Sequence, residues 1–270
     1  MDLFEHDIVA NGIRLHVYRT KTGRSPLVFV HGITDNGLCF LPIAEQLSDA
    51  FEIILFDSRN HGKSEAPAGR TTLLDRARDL MGLVNVLHLE KPGLIGHSLG
   101  AVTVGLLAGS YPDLPGCIVL EDPPPFELFT ARQEQDSSGR SKWLQMAEAN
   151  KQKSLDELMD LCRRDNPAWP EAEWLPWAQS KQQVDLAAFD EERIDPKDGN
   201  QLFRQITCPT LMLTADAERG ALYPEQAADA FVAALPVGRH VHIPKAGHSI
   251  RREQPAAFLR TVDAFLKEFL

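Results

Sequence analysis

The stretch Gly93-Leu94-Ile95-Gly96-His97-Ser98-Leu99-Gly100-Ala101-Val102-Thr103-Val104-Gly105 carries the reading of the whole chain. An apolar run of strand character leads into Gly96-His97-Ser98-Leu99-Gly100, a GxSxG string, and a small-residue run of helical character follows directly. On a turn between strand and helix a serine is lifted above the sheet with its Oγ exposed. Only small flanking residues let neighbouring backbone come that close, a demand that Gly96 and Gly100 meet. The turn also leaves the first amides of the next helix without intrahelical acceptors, so the Leu99 N–H is free to face developing oxyanion charge. A tight glycine turn with an idle serine is the competing reading, and the strand–turn–helix setting disfavours it.

Outward from this turn, apolar runs alternate with helical patterns. Leu27–Val30, Phe51–Phe56, Gly93–Gly96, Cys117–Leu120, Thr210–Leu213 and Arg239–Ile243 read as strands, and Leu38–Leu47, Leu73–His88, Leu99–Gly109, Pro224–Leu235 and Pro255–Phe269 as helices. Mostly apolar strands separated by helices predict a parallel sheet covered on both faces. Ahead of them Phe4–Ala10 and Ile13–Arg19 flank Asn11-Gly12, a tight-turn dipeptide, so the sheet is expected to open with an antiparallel pair and to reach eight strands.

The alternation stops between Pro123 and about Asn200. That segment is polar and helical, broken at Asn166-Pro167, Trp169-Pro170 and Leu175-Pro176. We expect a core from residues 1–124 and 201–270, with a helical cap inserted at 125–200. All four tryptophans (Trp143, Trp169, Trp174, Trp177) fall in the insertion; they are expected mainly to fasten it to the core, with at least one facing a substrate pocket.

A serine hydroxyl needs a base to become nucleophilic. Of nine histidines, His248 is the best placed, in Pro244-Lys245-Ala246-Gly247-His248-Ser249 after the last strand, at the C-terminal edge of the sheet where the serine lies. The second oxyanion donor is expected from the loop His31-Gly32-Ile33-Thr34, as the Ile33 N–H. Asp57–Ser64 is turn-rich and reads as architecture around the site. His240 and His242 alternate along the last strand without a third ligand at metal spacing and read as strand packing.

With these residues in order (HG after one strand, a DxRxHGxS-like turn, GHSLG, an insertion, a late GH) the chain resembles the α/β-hydrolase family over nearly its whole length. Asn60 stands where many members have glycine, in an RNHG variant that also occurs. Two positions compete for the triad acid. In most members it follows the strand corresponding to Leu211–Thr214 in a G-x-x-D pattern, where this chain has Ala215-Asp216-Ala217-Glu218, making Glu218 a usable alternative. Other members carry it at the end of the preceding strand, here Leu120-Glu121-Asp122-Pro123. This pattern looks like that of N-formylmaleamate deformylase and the acetamidomethylenesuccinate hydrolases, and it implies Asp122, which we prefer.

The resemblance implies acyl transfer to water on a small carboxylic ester or amide, by Ser98, His248 and Asp122 with the Leu99 and Ile33 amides, and with no metal or organic cofactor. Serine at position 98 argues against the dehalogenase and epoxide-hydrolase branches, which place aspartate there. Meta-cleavage C–C hydrolysis, perhydrolysis and a non-catalytic ligand-binding role on the same fold stay open. Arg132, Arg140, Lys142, Arg163 and Arg164 of the insertion, and Arg251 and Arg252 beyond His248, are candidates for meeting a substrate carboxylate, each competing with a plain solvated-surface reading.

Composition agrees. A balance of 28 Lys+Arg against 38 Asp+Glu, net −10, is the wrong sign for holding nucleic acid or an anionic membrane surface. The N-terminus lacks a signal-peptide pattern and no run approaches a membrane span, so a cytoplasmic location and a small-molecule partner are expected. Four dispersed cysteines (Cys39, Cys117, Cys162, Cys208) predict buried reduced thiols.

Overall fold

The computed structural model describes residues 1–131, 142–192 and 194–270, with backbone alone at 129–131. Eight strands form one sheet: β1 (Phe4–Ala10), β2 (Ile13–Arg19), β3 (Pro26–Val30), β4 (Glu52–Phe56), β5 (Gly93–His97), β6 (Cys117–Glu121), β7 (Thr210–Ala215) and β8 (Gly238–Ile243), in the order β1-β2-β4-β3-β5-β6-β7-β8. β2 runs antiparallel to both neighbours, and every pair from β4 onward is parallel. Asn11 and Gly12 take the positive φ values of 49° and 78° that the two-residue turn between β1 and β2 requires.

The strands are apolar on both sides because both sides are covered. Val28, Val30, Ile54, Phe56, Leu94, Ile118, Leu120 and Met212 face one core layer; Leu27, Phe29, Ile53, Leu55, Ile95, Val119, Leu211 and Leu213, alternating with them, face the other. Among the covering helices, α1 (Leu41–Leu47) belongs to the second layer, while α2 (Leu73–Val86) and α3 (Leu99–Ser110) belong to the first. α2 starts at a capping box in which Thr72 accepts from the Asp75 N–H and Asp75 accepts from the Thr72 N–H.

Between β6 and β7 the regular structure is helical: α4 (Phe126–Ala131), α5 (Lys142–Lys151), α6 (Leu155–Asp165), α7 (Trp174–Gln183) and α8 (Pro196–Phe203), with short 3-10 turns. The insertion docks on the loops that leave the C-terminal ends of β3 and β4. Lys181 Nζ donates to Thr34 O at 2.7 Å, Asn36 Nδ2 to Gln183 Oε1 at 2.8 Å, and Asp185 N to Asn60 O at 2.7 Å. The chain then closes with α9 (Glu225–Ala233), α10 (Ile250–Glu253) and α11 (Pro255–Phe269). All four cysteines are buried and free, and burial pushes the Cys39 thiol up to about 11. Among the described residues no helix is long and apolar enough to cross a membrane.

Candidate active site

Ser98 sits between β5 and α3 at φ 55°, ψ −123°, a conformation that L-residues rarely adopt. Two contacts hold the turn. The Ser98 N–H donates to Glu121 O at 2.9 Å, and Ser98 O accepts from the Val102 N–H at 3.1 Å. The flanking glycines are a steric necessity: a β-carbon on Gly96 would lie 2.5 Å from Gly100 O, and one on Gly100 would lie 2.0 Å from Val30 O. Leu99 opens α3, so its N–H belongs to the first-turn amides that have no acceptor within the helix.

The structure brings Asp122 and His248 together. His248 Nδ1 donates to Asp122 Oδ2 at 2.6 Å, which leaves Nε2 to carry the ring's lone pair. Asp122 directly follows β6 at φ 41° and is fully buried, and its carboxylate also accepts from the Leu222 and Tyr223 N–H groups at 2.9 Å each. Those amides come from the loop after β7, where Glu218 was the alternative acid. Glu218 itself lies exposed on the 3-10 turn Ala217–Arg219.

The Ile33 N–H is aimed by its neighbours. Its peptide carbonyl, Gly32 O, accepts from His31 Nδ1 at 2.9 Å and from the Asp35 N–H at 3.1 Å, and a planar peptide so held has a fixed N–H direction. His31 Nε2 in turn accepts from the Ser58 N–H at 2.9 Å, so the ring bridges two loops as the neutral Nδ1–H tautomer. Burial, opposed only partly by hydrogen bonding to Gly32, holds His31 below the ordinary histidine range. On the far side of Ile33, His61 Nε2 lies 2.6 Å from Ile33 O and Nδ1 lies 2.7 Å from Arg59 O; burial and Arg76 push this ring well down. Gly32 lets the loop lie on the serine, since a β-carbon there would fall 3.3 Å from Ser98 Cβ.

Sequence reading did not assign His97 a part. Its Nε2 donates to His248 O at 2.9 Å and its ring lies 4.7 Å from the His248 ring, while burial and nearby Arg251 hold it well below the ordinary range. A string such as GHSLG shows only that a histidine adjoins the serine. Which loop it supports is settled by a residue 151 positions away.

Asp57 is architectural as expected, accepting from the Gly37 and Lys63 N–H groups at 2.8 Å each. His240 and His242 both bond Thr214 Oγ1, at 2.7 and 3.2 Å, and among the described residues no group of side chains is arranged to hold a metal ion.

The cationic candidates part ways. Arg163 and Arg164 are exposed and pair with Asp160 and Asp165, and Lys142 is exposed. Arg132 and Arg140 lie outside the described residues. Arg251 and Arg252 are buried and paired with the carboxylates of Glu121 and Glu173, which removes the surface reading for both. Two tryptophans stack on such buried cations, Trp169 on Arg252 at 4.7 Å and Trp177 on Lys181 at 4.8 Å, in keeping with a fastening role.

Comparison with known proteins agrees with this architecture. A 2-(acetamidomethylene)succinate hydrolase of Mesorhizobium japonicum is 40% identical over 107 residues, 39% of this chain and 38% of that protein. An epoxide hydrolase of Caballeronia sordidicola is 36% identical over 113 residues, 40% of this chain and 34% of that protein. The matched stretch thus spans little more than a third of these curated relatives. A crystal structure of an E-2-(acetamidomethylene)succinate hydrolase superposes with a TM-score of 0.79 at 25% identity, covering 98% of this chain and all of the other. The profile described as the alpha/beta hydrolase family matches residues 27–261, and the chain belongs to that family.

Proposed function

We propose that this hydrolase-family protein is a serine hydrolase acting on a small carboxylic ester or amide. The observation that carries the reading is the 2.6 Å contact between His248 Nδ1 and the fully buried Asp122, at the same sheet edge as the Ser98 turn. Asp122 holds the imidazole in the tautomer whose Nε2 can accept a proton. Ser98 Oγ attacks the substrate carbonyl carbon as its proton passes to His248 Nε2. The carbonyl π electrons move to oxygen, and the Leu99 and Ile33 N–H groups receive that charge. Collapse restores the carbonyl and breaks the bond to the leaving alcohol or amine, which takes the proton from His248. Water, deprotonated by the same histidine, then attacks the acyl-enzyme; the acid product departs and Ser98 regains its proton. Ser98 is 8% exposed, so a substrate must reach it beneath the insertion, which we take to cap the site.

An amide substrate has support in the names of one sequence relative and one solved structure, both hydrolases of 2-(acetamidomethylene)succinate. Epoxide opening is not part of the reading, because position 98 is serine. The test compares the unmodified protein with Ser98→Ala on p-nitrophenyl acetate and butyrate, a small anionic enamide and a dienoic C–C substrate. Serine-dependent turnover of the esters or the enamide is expected, with preference for the enamide marking the amide branch. Turnover of the dienoic substrate alone replaces the reading with C–C hydrolysis. No turnover, with no Ser98 labelling by a fluorophosphonate, leaves a ligand-binding protein.

A further inference from the structure

Six charged side chains, each at least nine-tenths buried, meet behind the candidate site: Asp35, Glu121, Glu173, Lys181, Arg251 and Arg252. Asp35 is their centre. Its Oδ1 lies 3.1 Å from Lys181 Nζ, and its Oδ2 lies 3.1 Å from both Arg251 Nη2 and Arg252 Nη2. Glu121 accepts from the Arg251 N–H at 2.8 Å and from Arg251 Nη1 at 3.1 Å, and Glu173 accepts from Arg252 Nε at 2.9 Å. Burial alone would raise the Asp35 carboxyl, but Arg252, Lys181 and Arg251 together hold it well below the ordinary carboxylate range.

Each member adjoins a part of the proposed machinery. The Asp35 N–H is one of the two donors that fix the Ile33 peptide; Glu121 precedes Asp122, and its carbonyl holds the Ser98 N–H. Arg251 and Arg252 follow His248 by three and four residues. Lys181 and Glu173 come from the helical insertion. Three cations face three carboxylates, and removing one member of such a group leaves a buried charge uncompensated. Apolar side chains could hold the insertion without the desolvation cost of six ions. Ion pairs of fixed geometry instead select one register between segments.

Building on the serine-hydrolase reading, we propose that Asp35 is a positioning residue: by holding Lys181, Arg251 and Arg252 on one carboxylate, it sets the oxyanion loop, the insertion and the His248 loop in the one arrangement that supports turnover. Asp35→Asn keeps the shape and removes the charge, and Asp35→Asn/Lys181→Met restores the charge balance without restoring the three-way bridge. Each is compared with the unmodified protein for kcat and KM on p-nitrophenyl butyrate, rate of fluorophosphonate labelling of Ser98, and melting temperature. The expected result is a fall in kcat of at least ten-fold for Asp35→Asn, with labelling slowed in parallel, and recovery of melting temperature but not of kcat in the double variant. An unchanged kcat in Asp35→Asn, whatever its melting temperature, overturns the proposal. So does recovery of kcat together with melting temperature in the double variant. If Asp35→Asn does not fold, Asp35→Glu, which keeps the charge and moves the carboxylate by one methylene, decides: a kcat lowered by at least three-fold supports the proposal and an unchanged one sinks it. An unmodified protein that neither turns over ester nor takes the label would instead point to failure of the serine-hydrolase reading.

Discussion

Replacing Gly100 by alanine tests whether the serine turn and the oxyanion loop are one mechanical unit. The added β-carbon would lie 2.0 Å from Val30 O, 2.6 Å from Val30 C and 2.7 Å from His31 O. Ordinary contact begins at 3.4 Å, so the deficit against Val30 O is 3.4 − 2.0 = 1.4 Å. All three neighbours are backbone, and Val30 is locked in register with Gly96 across β3 and β5, so neither a rotamer change nor a local slide relieves the clash. α3 must move away from the end of β3. That separates the Leu99 N–H from the Ile33 N–H, the two groups proposed to share the oxyanion. Overpacking of this kind costs roughly 1–3 kcal/mol of stability, and misplacing one oxyanion donor costs on the order of 10²–10³ in kcat. Gly109→Ala is the control, with a similar clash, 2.1 Å to Leu202 O, at the far end of the same helix, about 14 Å along the axis from Gly100 at 1.5 Å per residue. Both variants should melt earlier, by about 2–4 °C for each kcal/mol lost. Only Gly100→Ala should lose ester turnover by the larger factor, measured well below either melting temperature. Equal activity losses in the two variants would refute the reasoning, because the effect would then follow helix packing and not donor geometry.

Asp122→Asn should lower kcat on p-nitrophenyl butyrate by about 10⁴, since the amide can no longer orient and stabilise the charged imidazole, whereas Glu218→Gln should leave kcat within about two-fold; the reverse order would move the acid to the loop after β7. Stability should fall as the medium is acidified from pH 6.5 towards 5. His31, His61 and His97 bind protons more weakly folded than unfolded, so over that window the unfolded chain takes up protons that the native state refuses, and stability rises with pH. Each such histidine contributes up to about 1.4 kcal/mol per pH unit, roughly 4 kcal/mol per unit for three. Urea unfolding at pH 7, 6 and 5 measures it, and a flat profile would show that these rings take up protons within the native fold.

The sheet was legible because burial on both faces leaves a simple signature, mostly apolar runs bounded by turn residues. The hairpin Phe4–Ala10/Ile13–Arg19 and the helix Pro255–Phe269 appear with the predicted bounds. The turn at Ser98 could be read because a local string encodes a local turn, and the place of His248 because the strand before it fixes which edge of the sheet it reaches. Asp122 and Glu218 could not be separated by such means: the choice depends on which carboxylate faces a ring 126 or 30 positions away in sequence. The same holds for Asp35, whose partners stand 146, 216 and 217 positions along the chain. Arg251-Arg252 on a polar stretch resembles surface, and only the fold, which turns α10 inward beneath the insertion, buries it. Within the segment between β6 and β7 the sequence offered only a polar, helical character broken at prolines and no helix bounds; α5 buries only Ala147 and Asn150, which leaves little apolar stripe to read.

Two of the three residues proposed for the chemistry, Ser98 at φ 55° and Asp122 at φ 41°, occupy backbone angles that glycine reaches without penalty. An L-residue held there costs on the order of 1–2 kcal/mol. Selection for thermal tolerance alone would therefore push position 98 towards glycine and yield a hardier protein with less chemistry, whereas the hydrogen bonds that the Asp122 carboxylate accepts from His248 Nδ1 and the Leu222 and Tyr223 N–H groups outweigh the strain at that position. A directed-evolution campaign that screens this scaffold only for heat resistance is set against its own active site, and turnover has to be scored in the same round.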